Sequence, residues 1–248
     1  MSEKILKQIG KELGTRRQQI EKKLEQKKKE IASELKPFFD SVMSMDRESA
    51  EFKLFLNAYK YYIGKMSRSL SITEFMMADL QATVENLAKG RIREMNPRDV
   101  VNFVFYYFSL IEVWGNSACD FLVMLLVANK RAFHIERSYK TPRIKHAHSM
   151  EDLEEERVPL TTKLNFLMDN GISSFASTID NQFRNDIAHL NFNVEENMIY
   201  VRGKPTLLTA LLGGTEFLEA NNTLMNYIER FSDKTYRSSS SKKGDRNK

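Results

Sequence analysis

Glycine and proline are scarce in this chain, and their scarcity constrains its fold more than any other feature. The 248 residues include 10 glycines and 5 prolines. A fold made of strands needs many tight turns, which these two residues favour, so the sequence predicts long helices. Hydrophobic residues make up 42% of the chain, enough to bury a sizeable core. We therefore predict an all-α fold, a helical bundle with a long N-terminal helix and one small β-hairpin.

Basic charge is concentrated at the two ends of the chain. Residues 1–36 hold 11 basic and 6 acidic residues, and residues 232–248 hold 6 basic and 2 acidic residues. The segment between them, 37–231, is mildly acidic. We interpret the three segments as a basic N-terminal helix, a helical-bundle domain and a disordered basic tail. Basic ends can bind a polyanion such as RNA, although for the tail solubility is the simpler interpretation.

The N-terminal segment predicts one helix with a narrow apolar stripe. Apolar residues recur at intervals of four and seven between Ile9 and Leu35. Such a stripe is typical of a coiled-coil seam or of a helix that lies on a surface. Pro37 is expected to end this helix, because a proline drives the preceding residue out of the helical region. Charges throughout the segment argue against a signal peptide.

Apolar periodicity and capping signals predict the remaining elements. Ser71 and Glu74 form a capping-box pattern and are expected to start a new helix, which Gly90 ends. A long apolar helix follows, with a bend near Gly115; four polar residues interrupt it, so we interpret it as a core helix rather than a membrane span. A polar loop is expected over 135–157. The predicted helices cover 48–67, 71–90, 96–133, 160–169, 173–190 and 207–231, with a hairpin over 192–201 and a weak point at Gly213-Gly214.

One short segment, 184–189, combines side chains suited to chemistry on RNA. Arg184 can bind a phosphate in a bidentate manner and stabilise its charge in the transition state. His189 can transfer a proton at neutral pH. Asn185 lies one helical turn before His189, on the same face, and can orient either group. Cleavage of RNA needs both a base and an acid, so one histidine per chain suggests that two copies form the site across a two-fold axis.

The string from Phe183 to His189 resembles the signature of the HEPN superfamily, in which four to six residues separate an arginine from a histidine and the first of these residues is polar. Arg184, Asn185 and His189 are the positions that match. The resemblance implies a helical bundle, a homodimer and, in many members, metal-independent endoribonuclease activity in a toxin or a defence system. It implies no cofactor. Some members lack nuclease activity, so a non-catalytic module that binds nucleotide, RNA or a protein partner is the alternative function.

Three polar residues form a stripe on the predicted core helix. Glu112, Asn116 and Asp120 follow one another at intervals of four. Buried polar groups need partners, so the stripe predicts a hydrogen-bonded network or a polar dimer surface. The sharper hypothesis is that it faces the motif helix and orients Arg184 or His189.

The other reactive side chains are interpreted as structural. Cys119, the single cysteine, lies in an apolar run and is expected to be a core residue, which suits a reducing, cytoplasmic environment. His146 and His148, with His134 nearby, have a spacing that can bind a metal, but no cysteine or suitable carboxylate completes the set, so no metal site is expected. The expected partners are RNA, a second copy of the chain and an antitoxin or regulatory protein, with no membrane.

Overall fold

The fold was analysed in a computed structural model, which describes residues 3–92, 97–136, 144–146, 149–155, 158–195 and 198–244. It is an all-α helical bundle, as predicted, and it has two small antiparallel sheets where the sequence predicted one hairpin. The helices are α1 (Glu3–Ser44), α2 (Ala50–Ala88), α3 (Pro97–Leu110), α4 (Asn116–Ala128), α5 (Met150–Glu155), α6 (Leu160–Asp169), α7 (Ser173–Ala176), α8 (Asn181–Ala188) and α9 (Thr206–Gly244). The strands are β1 (His134–Glu136), β2 (Ile144–His146), β3 (Asn193–Glu195), β4 (Met198–Val201) and β5 (Lys204–Pro205).

Helix α1 continues through Pro37, so the predicted end at that proline is wrong. Ile31, Leu35, Phe39 and Val42 are all fully buried and continue one apolar face on both sides of the proline. A proline inside a helix costs about 3 kcal/mol through its missing hydrogen bond and its ring. Packing of this face against α2, α4 and α9 offsets that cost. The division of the chain at residue 36 stays a prediction, although the helix itself is continuous there.

Helix α2 also runs on where a boundary was predicted. Its start is capped by Ser49, whose side chain accepts a hydrogen bond from the backbone N–H of Phe52 at 3.2 Å. Ser71 and Glu74 lie inside the helix, so the capping-box prediction was wrong. The segment around them contains no glycine or proline, and an established helix continues at little cost. The predicted stop is confirmed, because Gly90 follows the C-cap with φ of +65°.

Helix α4 is the centre of the core. The ring of Phe121 stacks on Tyr62 of α2 at 5.1 Å and lies 6.3 Å from Phe39 of α1. The stretch Arg98–Ala128 is long and apolar enough to cross a membrane, but 78% of its most apolar window is buried inside the protein, as expected of a core helix. Near Gly115, where the sequence predicted a bend, the structure has a π-helical turn over Ile111–Gly115, between α3 and α4.

The segment predicted as a loop over 135–157 contains regular structure. Strands β1 and β2 pair, with His134 opposite His146, and α5 follows. Residues 137–143, 147–148 and 156–157 of this segment lie outside the described part of the chain. The polar composition concealed the hairpin, because a two-stranded sheet needs few apolar residues.

The C-terminal half contains one confirmed hairpin and several differences from the prediction. Strands β3 and β4 pair as expected, and β5 adds a third strand. The helix predicted over 173–190 is divided into α7 and α8, because Asp180 caps a new helix start. Helix α9 passes through Gly213-Gly214 without a break. It continues to Gly244, beyond the predicted helix end at residue 231, and the disorder of 232–248 stays a prediction.

Candidate functional site

Helix α8 positions the side chains that the sequence singled out. Asp180 starts the helix by accepting a hydrogen bond from the backbone N–H of Phe183 at 2.8 Å. Phe183 and Ile187 are buried and fix one face of the helix, with the Phe183 ring 5.2 Å from Tyr107 of α3. The apolar anchors leave Arg184 and Asn185 on an adjacent face, which borders a cleft.

Arg184 forms an ion pair with Glu112, which lies in the π turn. Its Nη1 atom donates to Oδ1 of Asn185 at 2.6 Å, and its guanidinium lies 5.8 Å from the centre of the Phe108 ring. The side chain is 22% exposed, and this partial burial lowers the pKa of Arg184. The hypothesis that the polar stripe faces the motif helix is therefore confirmed for Glu112 and Arg184.

A second ion pair holds the remaining part of the stripe. Nζ of Lys163, on α6, lies 2.5 Å from Oδ1 of Asp120 and donates to Oδ1 of Asn116 at 2.7 Å. The side chains of Lys163 and Asp120 are only 4% and 6% exposed. The stripe is thus part of a hydrogen-bonded network, which was one of the two predicted structural roles, the other being a polar dimer surface.

Sequence reasoning missed Lys163, although the sequence carries a signal for it. The apolar face of α6 consists of Leu160, Leu164 and Leu167, at intervals of four and three. Lys163 falls on that face, where a lysine is unexpected unless a carboxylate neutralises it.

The two ion pairs line one cleft of about 660 Å³ between α4, α6, α8 and the π turn. Its polar lining residues include Asn116, Lys163 and Arg184, and its apolar lining residues include Leu153, Val158 and Leu160. A cleft of this volume has the size of a site for a small molecule or for one residue of a polymer, and its many polar and charged side chains suit a polar ligand.

His189 is placed differently from the other two residues of the motif. It is the C-cap of α8, and its backbone N–H donates to Asn185 O at 3.0 Å. Its side chain is exposed, and it is not among the described residues that line the cleft. Leu190, the next residue, has φ of +54° and is 65% exposed. The structure therefore brings Arg184 and Asn185 together in the cleft and leaves His189 outside the cleft lining, exposed at the C-terminal end of α8.

The other candidate residues show no catalytic arrangement. Cys119 is fully buried, and burial raises the pKa of its thiol well above the ordinary range. His134 and His146 are opposite each other in the hairpin, while His148 lies outside the described residues. Across the described ranges, no group of three or more His, Cys, Asp or Glu side chains is placed to hold a metal ion.

Comparisons of the chain with protein-family models, with curated proteins and with solved structures give no match.

Proposed function

We propose that the protein is an endoribonuclease of the HEPN type, which cleaves RNA without a metal ion at a composite site formed by two copies of the chain. The observation that carries the proposal is the arrangement of α8, which presents Arg184 in a polar cleft and His189 at the solvent-exposed end of the same helix. A cation for the phosphate and an imidazole for the proton are thus held on one rigid element.

In this proposal Arg184 binds the scissile phosphate. Two of its nitrogens are engaged by Glu112 and Asn185, which fix the plane of the guanidinium. Its Nε–H is buried and has no hydrogen-bond acceptor among the described residues, so a small shift of the side chain towards the cleft would let it donate to a phosphate oxygen. Glu112 and Asn185 would therefore act as positioning residues for Arg184.

His189 would transfer the proton. An exposed imidazole can reach the ribose of a bound RNA, and a second copy can place another imidazole on the opposite side of the phosphate. One would accept the proton of the 2′-hydroxyl while the other donates to the leaving 5′-oxygen, which yields a 2′,3′-cyclic phosphate. We further propose a cytoplasmic location and a role as a toxin or defence effector, controlled by an antitoxin or regulatory protein.

The test is cleavage of unstructured RNA by the purified chain in excess EDTA. We expect products with 2′,3′-cyclic phosphate ends, and we expect His189→Ala and Arg184→Ala each to lower the rate by about 100-fold or more. The matched controls are His134→Ala and Arg230→Ala, which remove the same side chains from exposed positions on β1 and α9. Intact RNA with the parent protein, or equal rates for His189→Ala and the parent, would refute the proposal.

The second candidate function is binding of RNA without cleavage, and the position of His189 outside the cleft favours it. In that case the basic α1 would contribute to the affinity, and binding would weaken steeply with salt. Salt-dependent binding by a chain that leaves RNA intact in the same assay would select this function.

A further inference from the structure

One face of α8 presents a third polar side chain to the cleft. Asn181, Arg184 and Asn185 are separated by three and four residues, so they lie on the same side of the helix, and all three line the cleft. The Nδ2 atom of Asn181 donates to Oγ1 of Thr161 at 2.7 Å, which fixes the orientation of its amide. The oxygen of that amide is therefore held in a defined place.

Two buried polar atoms of this face lack hydrogen-bond partners within the described ranges. They are Nε of Arg184, a donor, and Oδ1 of Asn181, an acceptor. Buried polar groups are nearly always partnered in native proteins, so two such atoms in one cleft require an explanation. Both atoms have almost no accessible surface in the empty cleft, so a ligand that satisfies them must displace the side chains slightly. Such a ligand must carry an acceptor for the arginine and an N–H or O–H donor for the asparagine.

Part of the cleft lining is aliphatic. Val158, Pro159 and Leu160 form an aliphatic wall at the start of α6, next to Thr161, the hydrogen-bond partner of Asn181. A group with an apolar face and polar edges suits a cleft in which aliphatic and amide side chains are neighbours. A nucleobase is such a group, its N–H edge can donate to an amide oxygen, and the phosphate of the same nucleotide is an acceptor for arginine.

We propose that the cleft is a base-reading subsite, in which an unpaired nucleobase of the RNA lies against the Val158–Leu160 wall and donates an N–H group to Oδ1 of Asn181 while its phosphate binds Arg184. This inference rests on the proposed ribonuclease function and adds a specificity-determining residue to it. The N–H groups occupy different places on the four bases, so a fixed acceptor favours one of them over the others.

The experiment is isothermal titration of the full chain with the four nucleoside 3′-monophosphates and with inorganic phosphate. One nucleotide should bind about tenfold more tightly than the weakest of the other three, the effect of one hydrogen bond to a buried group. Asn181→Ala should bring the four affinities within about twofold of one another. Asn181→Asp, which keeps an oxygen acceptor, should preserve their order, and Gln182→Ala, an exposed amide on the same helix, should match the parent.

Equal affinities for the four nucleotides, or a preference that Asn181→Ala leaves intact, would overturn the inference. If Asn181→Ala fails to fold, as judged by its thermal unfolding, Thr161→Val takes its place, because loss of the Thr161 oxygen frees the amide to rotate and should also reduce the preference. Titration measures binding without turnover, so either proposal can fail while the other stands. A base preference without RNA cleavage refutes only the proposed ribonuclease function, and cleavage without a base preference refutes only the proposed subsite.

Discussion

At the scale of single residues, the unusual feature is a lysine inside the core. Lys163 is paired with Asp120 and also donates to Asn116, so both charges have partners. A buried pair of this kind contributes little compared with well-packed apolar residues, but removal of one partner leaves an uncompensated charge. The stability of the protein is therefore more sensitive to the loss of one member than to the loss of both.

We predict that Lys163→Met lowers the free energy of unfolding by about 3–5 kcal/mol, because it leaves Asp120 charged and buried. The double variant Lys163→Met/Asp120→Leu should recover part of this loss. Urea denaturation followed by Trp114 fluorescence measures both. The control is Lys53→Met, whose partner Glu48 is 84% exposed, and which should cost no more than about 1 kcal/mol. A cost for Lys163→Met no greater than that of the control would contradict the prediction.

At the scale of elements, the N-terminal half of α1 packs closely on the end of α2. A Cβ atom at Gly10 would overlap the carbonyl oxygen of Leu87, and Ile9 beside it is buried. The apolar stripe of α1 therefore packs within its own chain, at least at Ile9, Ile31 and Leu35. The sequence pattern indicated a helix with one apolar face but held no information on whether that face packs inside or between molecules.

We predict that Gly10→Ala lowers the free energy of unfolding by about 1–3 kcal/mol, because the added methyl group overlaps backbone and forces the helices apart. The matched control is Gly64→Ala on α2, where nothing lies within 4 Å of the new Cβ. That substitution should stabilise the protein by about 0.5–1 kcal/mol through helix propensity. Thermal unfolding of the two variants should therefore shift in opposite directions; a stabilising Gly10→Ala would show that the close contact is absent in solution.

The all-α fold class was predictable from the sequence, whereas several helix boundaries were not. Glycine and proline are scarce, so the chain has few of the tight turns that a fold made of strands needs. Pro37 is a local signal, and packing of the buried face on both sides of it overrides that signal. The Ser71–Glu74 pattern is also local, and α2 continues through it because no glycine or proline interrupts the helix there. In the site, spacing indicated the polar stripe of Glu112 and suggested that it faces Arg184 or His189, but the choice of Arg184, the pairing of Lys163 and the exposed position of His189 depend on how helices distant in sequence pack together.

At the scale of the whole molecule, the core encloses phenol and thiol groups that titrate in alkaline solution. Tyr62 and Cys119 are fully buried, and burial raises the pKa of both above the ordinary range. Tyr107 is shifted in the same direction, mainly by burial. These groups stay protonated in the folded chain at a pH where they ionise in the unfolded chain, so the unfolded state releases more protons.

We predict that the free energy of unfolding is independent of these groups below about pH 8 and falls as the pH rises through their unfolded pKa values, near 8.5 for Cys and 10 for Tyr. Each group should contribute a slope of up to about 1.4 kcal/mol per pH unit. Urea denaturation between pH 7 and 10.5 measures the slope, and Cys119→Ala should remove the part that begins near pH 8.5. An unchanged slope in that variant would mean that the thiol ionises in the folded protein.

The π turn over Ile111–Gly115 limits the insertions and deletions that the chain can accept at this point. A π turn is one extra residue in an α-helix, and it rotates all that follows by about 100° relative to what precedes it. Glu112 lies in the turn, while Asn116 and Asp120 follow it. Glu112 and Asp120 therefore both face their basic partners only when the extra residue of the turn is present. Deletion of one residue here would preserve every side chain of the site and still separate at least one pair. Chains that share this cleft should therefore tolerate substitutions between Glu112 and Asn116 far better than insertions or deletions.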